Sequence, residues 1–280
     1  MIAIFLQSAV PDIGYAQTKC FFEDKTRCSE KFAYKTVNYT NGDAYYGATV
    51  ENKRHGYGVF EWKDGWRYEG EWLYDKRNGY GVLTSPTGDR YDGEFRNNKF
   101  DGHGVHTYAS DWRFEGLFRN GSQIVGVHNS PDGGRYSGEI RNGKYDGHGV
   151  YLPNVGGRYE GAFRTGVYYG WGIFVFADRA VSEGFRVNNN LPNDWVFVTK
   201  DGEVYLYNST FFITSLSSAT STQRAVIEKV RNEAAAGAAR GRAQEQRALD
   251  AATLAIVAGE QALDARKMAR EAAQLATLNN

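Results

Sequence analysis

The sequence predicts a mostly-β fold: an elongated, single-layer rod of antiparallel β-hairpin repeats, followed by one long Ala-rich α-helix. Three observations predict it. An aromatic-x-Gly unit returns at a nearly fixed interval, a Gly-x-Gly follows it, and the composition changes abruptly near residue 222. The aromatic-x-Gly units open at Tyr45/Gly47, Tyr68/Gly70, Tyr91/Gly93, Phe114/Gly116, Tyr136/Gly138 and Tyr159/Gly161. The Gly-x-Gly pairs stand at Gly56/Gly58, Gly79/Gly81, Gly102/Gly104, Gly147/Gly149 and Gly170/Gly172. The interval is 23 residues, except that the copy from Phe114 is one residue short and keeps only Gly126. A fixed period in the twenties marks a repeat array.

Residues 1–40 read as a leader and N-terminal cap. The apolar stretch Met1–Val10 and the small residues around Gly14 and Ala16 suit a signal segment, but the positive n-region is missing. Cys20 and Cys28, the only two cysteines, are spaced to close a disulfide loop in an oxidising compartment and are two thiols in a reducing one. The localisation divides with them: exported or periplasmic if the leader is a signal, otherwise cytoplasmic at a membrane or cytoskeletal surface. Phe32 to Tyr39 alternates as a strand does and caps the first repeat.

Residues 41–207 form the rod, with six clear repeats over 45–180 and a decayed seventh copy plus cap over 181–207. In the central copy, Tyr91, Gly93 and Phe95 share one face of a strand, and Arg90, Asp92, Glu94 and Arg96 share the other. Asn97-Asn98-Lys99 is the turn, since Asn tolerates a left-handed backbone. A strand glycine that recurs implies a close approach. The repeat's own aromatic rings are expected to lie flat over the bare backbone of the adjacent strand.

Residues 208–221 read as a linker, and 222–278 as a helix rich in Ala, Arg, Glu, Gln and Leu. Leu249, Ile256 and Leu263 recur every seven residues, and Met268 and Leu275 form a second seam, a coiled-coil pattern. Gly237, Gly241 and Gly259 each weaken the helix and are candidate bends. Self-association, docking on a partner and a single exposed helix are the three alternatives.

The residues point away from catalysis. The five histidines sit at repeat positions along the rod, and no nucleophile, metal-ligand or phosphate-loop motif is present. No cofactor and no metal are expected. Equal numbers of basic and acidic residues, 33 of each, give no electrostatic footprint for nucleic acid. Arg67, Arg90, Arg113, Arg135 and Arg158 line up as a ladder that would suit anionic lipid head groups. Acids at the following positions make a solvated, ion-paired face the favoured reading. The better binding candidates are Trp62, Trp66, Tyr108 and Trp112, near the second turn of each hairpin, where packing demands them least.

The repeat resembles the MORN repeat (membrane occupation and recognition nexus), in copies such as Tyr68-Glu69-Gly70-Glu71-Trp72 and Tyr136-Ser137-Gly138-Glu139. The resemblance implies a single-sheet hairpin rod that acts as a scaffold, often dimeric, at membrane–cytoskeleton junctions; lipid binding has been proposed for such proteins. The decayed copies at Phe114 and Ser182 depart from the pattern and argue against a uniform groove along the full rod. The expectation is a non-enzymatic scaffold that presents an aromatic groove to protein partners, with the helix for self-association (a homodimer) or docking. The alternatives are a peripheral binder of anionic membranes and an exported cell-envelope structural protein.

Overall fold

The computed structural model describes residues 32–186, 188–190, 195–207 and 214–278. The strands β1 (Ala33–Asn38), β2 (Ala44–Val50), β3 (Lys53–Glu61), β4 (Arg67–Leu73), β5 (Lys76–Thr84) and β6 (Arg90–Arg96) begin the array. It continues with β7 (Lys99–Thr107), β8 (Arg113–Arg119), β9 (Ser122–Asn129), β10 (Arg135–Arg141), β11 (Lys144–Leu152) and β12 (Arg158–Arg164). The series ends with β13 (Val167–Val175), β14 (Val181–Arg186), β15 (Trp195–Val198), β16 (Val204–Tyr207) and the two-residue β17 (Thr214–Ser215). Each strand pairs antiparallel with the next, so the described residues form one open meander of 17 strands. The helix α1 runs unbroken over Ser221–Leu278.

The hairpins close as the sequence leads one to expect. Asn97 and Asn98 have φ of 49° and 70°, the left-handed pair of a two-residue turn whose twist suits its strands. Successive turns are tied together: Asn98 N donates to Arg77 O at 3.0 Å, and Arg77 N donates to Asn98 Oδ1 at 2.8 Å.

Glycines face one another across every pairing from β2 to β14, through Gly70↔Gly81, Gly81↔Gly93, Gly93↔Gly104 and Gly149↔Gly161. One face of this row carries the rings. A Cβ on Gly81 would stand 2.6 Å from Cε2 of Tyr68, so the tyrosine lies on bare backbone. Tyr45, Tyr68, Tyr91, Tyr136 and Tyr159 are all essentially buried there, with Trp72, Phe95, Phe118 and Phe163. A buried aromatic of this size contributes on the order of 2–3 kcal/mol.

The other face carries α1. The charged face expected to be solvated is thus covered, and the helix meets its own sheet. Its buried residues fall every seven: Ile227, Ala234, Gly241, Ala248, Ala255, Ala262, Ala269 and Ala276, with a second series through Val230, Gly237, Ala251, Ala258, Ala265 and Ala272. They lie on a row of the sheet in which Val82, Val105, Val127 and Val150 alternate with Glu69, Asp92, Glu115, Ser137 and Glu160. Ile227 packs with Val196 and Leu206 at one end. At the other, Thr36 Oγ1 donates to Ala276 O at 3.3 Å.

The larger side chains of the expected coiled-coil seam do not make this contact. Ile256, Leu263 and Leu275 are 46%, 47% and 37% exposed, Met268 is half-buried, and Leu249 reaches inward, against Val125 and Val127. The reason is distance. A Leu would hold the helix off, whereas Ala and Gly let its backbone approach the sheet. Gly237 and Gly241 are therefore points of closest contact and not bends. A Cβ on Gly241 would lie 2.7 Å from Gly161 N and 2.8 Å from Gly149 O, and one on Gly237 would collide with the Trp171 carbonyl.

Two helix glycines separate propensity from packing. At Gly259 the nearest atom to an added Cβ is 3.7 Å away, so Gly259→Ala should stabilise the protein by up to about 1 kcal/mol. Gly241→Ala gains the same propensity but should cost about 1–3 kcal/mol net through overpacking. Chemical denaturation of the two variants checks the opposite signs.

Candidate functional site

Five hairpins share one irregularity. The register shifts between Gly47 and Thr49, Gly70 and Trp72, Gly93 and Phe95, Gly138 and Ile140, and Gly161 and Phe163. The residue left in the bulge exposes its carbonyl, and the repeat's own tyrosine satisfies it. Tyr45 Oη donates to Ala48 O at 2.6 Å, Tyr68 to Glu71 O at 2.8 Å and Tyr91 to Glu94 O at 3.0 Å; Tyr136 and Tyr159 repeat the bond to Glu139 O and Ala162 O. Where the bulged residue is Glu, its carboxylate also accepts an N–H from the opposite strand, as in His103 N to Glu94 at 2.7 Å and His148 N to Glu139 at 2.8 Å. In the later hairpins a second ring packs on the tyrosine, Tyr91 on Phe100 and Tyr136 on Tyr145 at 3.8 Å and Tyr159 on Tyr168 at 4.1 Å, whereas in the first two the guanidiniums of Arg54 and Arg77 take that place.

The short hairpin β8–β9 keeps a smaller register shift, between Leu117 and Phe118, and lacks the hydroxyl, the carboxylate and the stacked ring at once. With one residue fewer in β9, Leu117 pairs directly with Val125 and the offset shrinks. Leu117 is paired and not bulged, so its carbonyl needs no hydroxyl, and Phe114 replaces Tyr. No displaced N–H needs a carboxylate, and Leu117 replaces Glu. Opposite Phe118, Gln123 occupies the place of the stacking ring. Its Nε2 donates to Tyr108 Oη at 2.9 Å, and its Oε1 lies 3.1 Å from His128 Nε2, where the imidazole must donate.

The missing ring leaves a groove. A cavity of about 410 Å3 opens between Tyr108, Trp112, His128 and Tyr145, bordered by Ser110, Lys144 and the turn glycines Gly143 and Gly166. A second, of about 250 Å3, shares Trp112, Tyr145 and Gly166 with it and continues past Tyr151 and Tyr168 to Asn189. Trp112 is 38% exposed, and His106 stacks on Tyr108 at 4.1 Å. Burial, with repulsion from His106 added, pushes His128 down to about 4, so the groove is lined by a neutral imidazole. Its chemistry is that of apolar ring faces with a few oriented polar groups, the usual character of a recognition site.

The four aromatics singled out from the sequence therefore divide. Tyr108 and Trp112 border the groove. Trp62 lies two repeats away, packed on Phe60 at 4.6 Å and under Arg77, and Trp66 stands 37% exposed at its own turn. Gln123, His128 and Tyr145 were not singled out; the one-residue deletion, with Phe114 in place of Tyr, was the available signal.

The arginine ladder lies on the helix face. Arg67 pairs with Glu69 at 3.0 Å, Arg90 with Asp92 at 2.5 Å, Arg113 with Glu115 at 2.6 Å and Arg158 with Glu160 at 2.5 Å. The helix adds its own charges: Arg266 and Arg270 each reach Glu69 at 2.6 Å, Arg231 reaches Glu183 at 3.0 Å, Glu245 reaches Arg158 at 2.6 Å, and Arg242 reaches Glu160. Burial raises the Glu69 carboxyl, but hydrogen bonds from Arg270 and Arg67 outweigh it and hold the group below its usual range. No cluster of three metal-ligating side chains occurs among the described residues, and no described helix is long and apolar enough to cross a membrane. Cys20 and Cys28 lie outside the described residues.

Fold and groove together define a hairpin-repeat protein with one interrupted repeat. Four of the repeats are MORN repeats: that family matches residues 45–67, 68–90, 91–113 and 136–154, and the short hairpin falls in the gap. Repeats of this kind indicate a protein that works by interaction with protein or membrane. No curated protein matches the chain. Among solved structures, the TCP10 domain of Danio rerio CPAP in complex with a peptide of Danio rerio STIL is similar at 15% identity, covering 64% of this chain and 80% of that one, with a TM-score of 0.33. The SAS-4 (dCPAP) TCP domain of Drosophila melanogaster, in complex with a proline-rich motif, is similar at 8% identity over 74% and 97% of the two chains, with a TM-score of 0.24. Likenesses this distant leave the reading of the groove to its own geometry.

His128 gives the groove a pH signature. A base whose folded value is depressed contributes stability that is present above pH 6.5 and is lost as pH falls toward about 4. The loss should approach roughly 3 kcal/mol. His128→Gln keeps a side chain that can bond Gln123 but does not titrate. Its melting temperature should fall less than that of the wild type between pH 6.5 and 4.

Proposed function

We propose that the protein is a non-enzymatic scaffold that binds a peptide segment of a protein partner in the aromatic groove at the short repeat. The observation that carries this reading is the loss of the stacking ring in β8–β9, which leaves Trp112, Tyr108 and Tyr145 with ring surface facing a cleft. In the other hairpins that place is filled by a ring, Phe100, Tyr145 or Tyr168, or by the guanidinium of Arg54 or Arg77 lying over the neighbouring rings. Trp and Tyr supply large, rigid contact area at low conformational cost, which is why they anchor interfaces. The helix braces the rod in this reading: its seven-residue series of small side chains is committed to the sheet. The paired ladder arginines weigh against a row of lipid contacts, since each ion pair would have to break before a head group could bind.

The test is selection of peptides from a displayed random library on the full-length protein. Selected peptides should bind at least tenfold more weakly to Trp112→Ala, and without change to Trp66→Ala, a comparably exposed tryptophan outside the groove. Equal binding to both variants would sink the assignment.

A further inference from the structure

On the opposite face of the sheet, among the described residues, one arginine of the ladder is left unpaired by its neighbours. Along the ladder the acid two residues on receives each guanidinium: Glu69, Asp92, Glu115 and Glu160. At Arg135 the acid is replaced by Ser137. Arg135 Nε is buried without a hydrogen-bond partner, and so is the hydroxyl of Ser137, whose side chain is 0% exposed. The acids on either side are committed. Glu115 holds Arg113 at 2.6 Å, Glu160 holds Arg158 at 2.5 Å and also meets Arg242, and Glu245 on the helix holds Arg158 at 2.6 Å. In the pairing register Arg135 faces only Asn129 and Leu152, and Ser137 faces Val127 and Val150. The position therefore carries one uncompensated positive charge and two buried donors without acceptors. A buried donor left without an acceptor forfeits its hydration for nothing, and a charged one forfeits most.

We infer that Arg135 and Ser137 form a binding site for one oxyanion, a carboxylate or phosphate group, held where the carboxylates of Asp92 and Glu115 sit in the preceding repeats. The guanidinium supplies charge and paired donors, and the serine hydroxyl supplies a third. Arg135 heads its strand and is only half-buried, so it is the member of the pair nearer solvent. This site is independent of the aromatic groove, which lies on the other face.

The test is thermal unfolding of the full-length protein at constant ionic strength, with chloride replaced stepwise by acetate or by inorganic phosphate. The wild type should show a saturable rise in melting temperature with at least one of the two anions. Arg135→Gln should weaken the apparent affinity at least tenfold. Ser137→Asp restores the acid of the neighbouring repeats; it should melt higher than the wild type in chloride alone and lose the anion response. Cosedimentation with vesicles of phosphatidylcholine and phosphatidylserine separates the sources: binding that Arg135→Gln removes makes it a lipid head group, and no binding makes it a free anion. A wild type that does not respond, or a response equal in Arg135→Gln, overturns the proposal. So does Ser137→Asp that is no more stable than the wild type and still responds.

Discussion

A single file of glycines runs across the sheet from β2 to β14, and both layers that cover the sheet depend on it. Side chains there would point into the tyrosine rings on one face, as the 2.6 Å approach to Tyr68 at Gly81 makes plain. Behind the same file, α1 comes so near that a Cβ on Gly241 would press on Gly149 and Gly161. Glycine is entropically costly in a strand. The cost is offset on one face by a buried ring in each repeat and on the other by close helix packing. Dispersion falls steeply with separation, so an Ala-rich helix gains its packing energy only by this close approach.

The helix also has to keep step with the sheet. From Ile227, beside β15, to Ala276, on β1, it runs through seven heptads while the sheet advances fourteen strands. One heptad rises about 10.5 Å, and two strands advance about 9.6 Å. Each hairpin thus meets nearly the same set of helix positions. A strict seven-residue series on a helix of 3.6 residues per turn drifts around the axis, as it must if the contact line is to follow a sheet that twists from strand to strand. The ion pairs mark the same register from end to end, from Arg231 on Glu183 to Arg270 on Glu69.

The rod was legible in the sequence because its period is carried by the most conspicuous residues, Tyr and Gly, and because Asn97-Asn98 has a turn chemistry of its own. The rings over glycine were legible too, since a glycine that recurs within strands signals that something bulky lies against the backbone there. The docked helix was not. Large apolar residues drew the eye to Leu249, Ile256 and Leu263, while the seam in use runs through Ala and Gly, which look like filler in a helix of this composition. Its signal was the seven-residue series from Ala234 through Gly241 to Ala276, set against a sheet whose outer face alternates Val with Asp or Glu. Half of the groove was visible in Tyr108 and Trp112. The other half depends on what Gln123 fails to cover, and an absent ring is visible only once the register is known.

A uniform array offers the same surface at every repeat, so a ligand that recognises one repeat can bind many of them at shifted positions. A departure from uniformity removes that degeneracy. In this chain the departures fall together. The short hairpin β8–β9 uncovers Trp112 and Tyr145 on the aromatic face, and the next strand, β10, carries Ser137 in place of an acid on the helix face. Neither change supports the packing of the array: the first removes a hydroxyl bond and a stacked ring, and the second leaves Arg135 without its partner. Elsewhere, where the acid and the stacking ring are present, the same positions are satisfied internally. The interruption is thus the place where the rod gives up internal contacts on both faces.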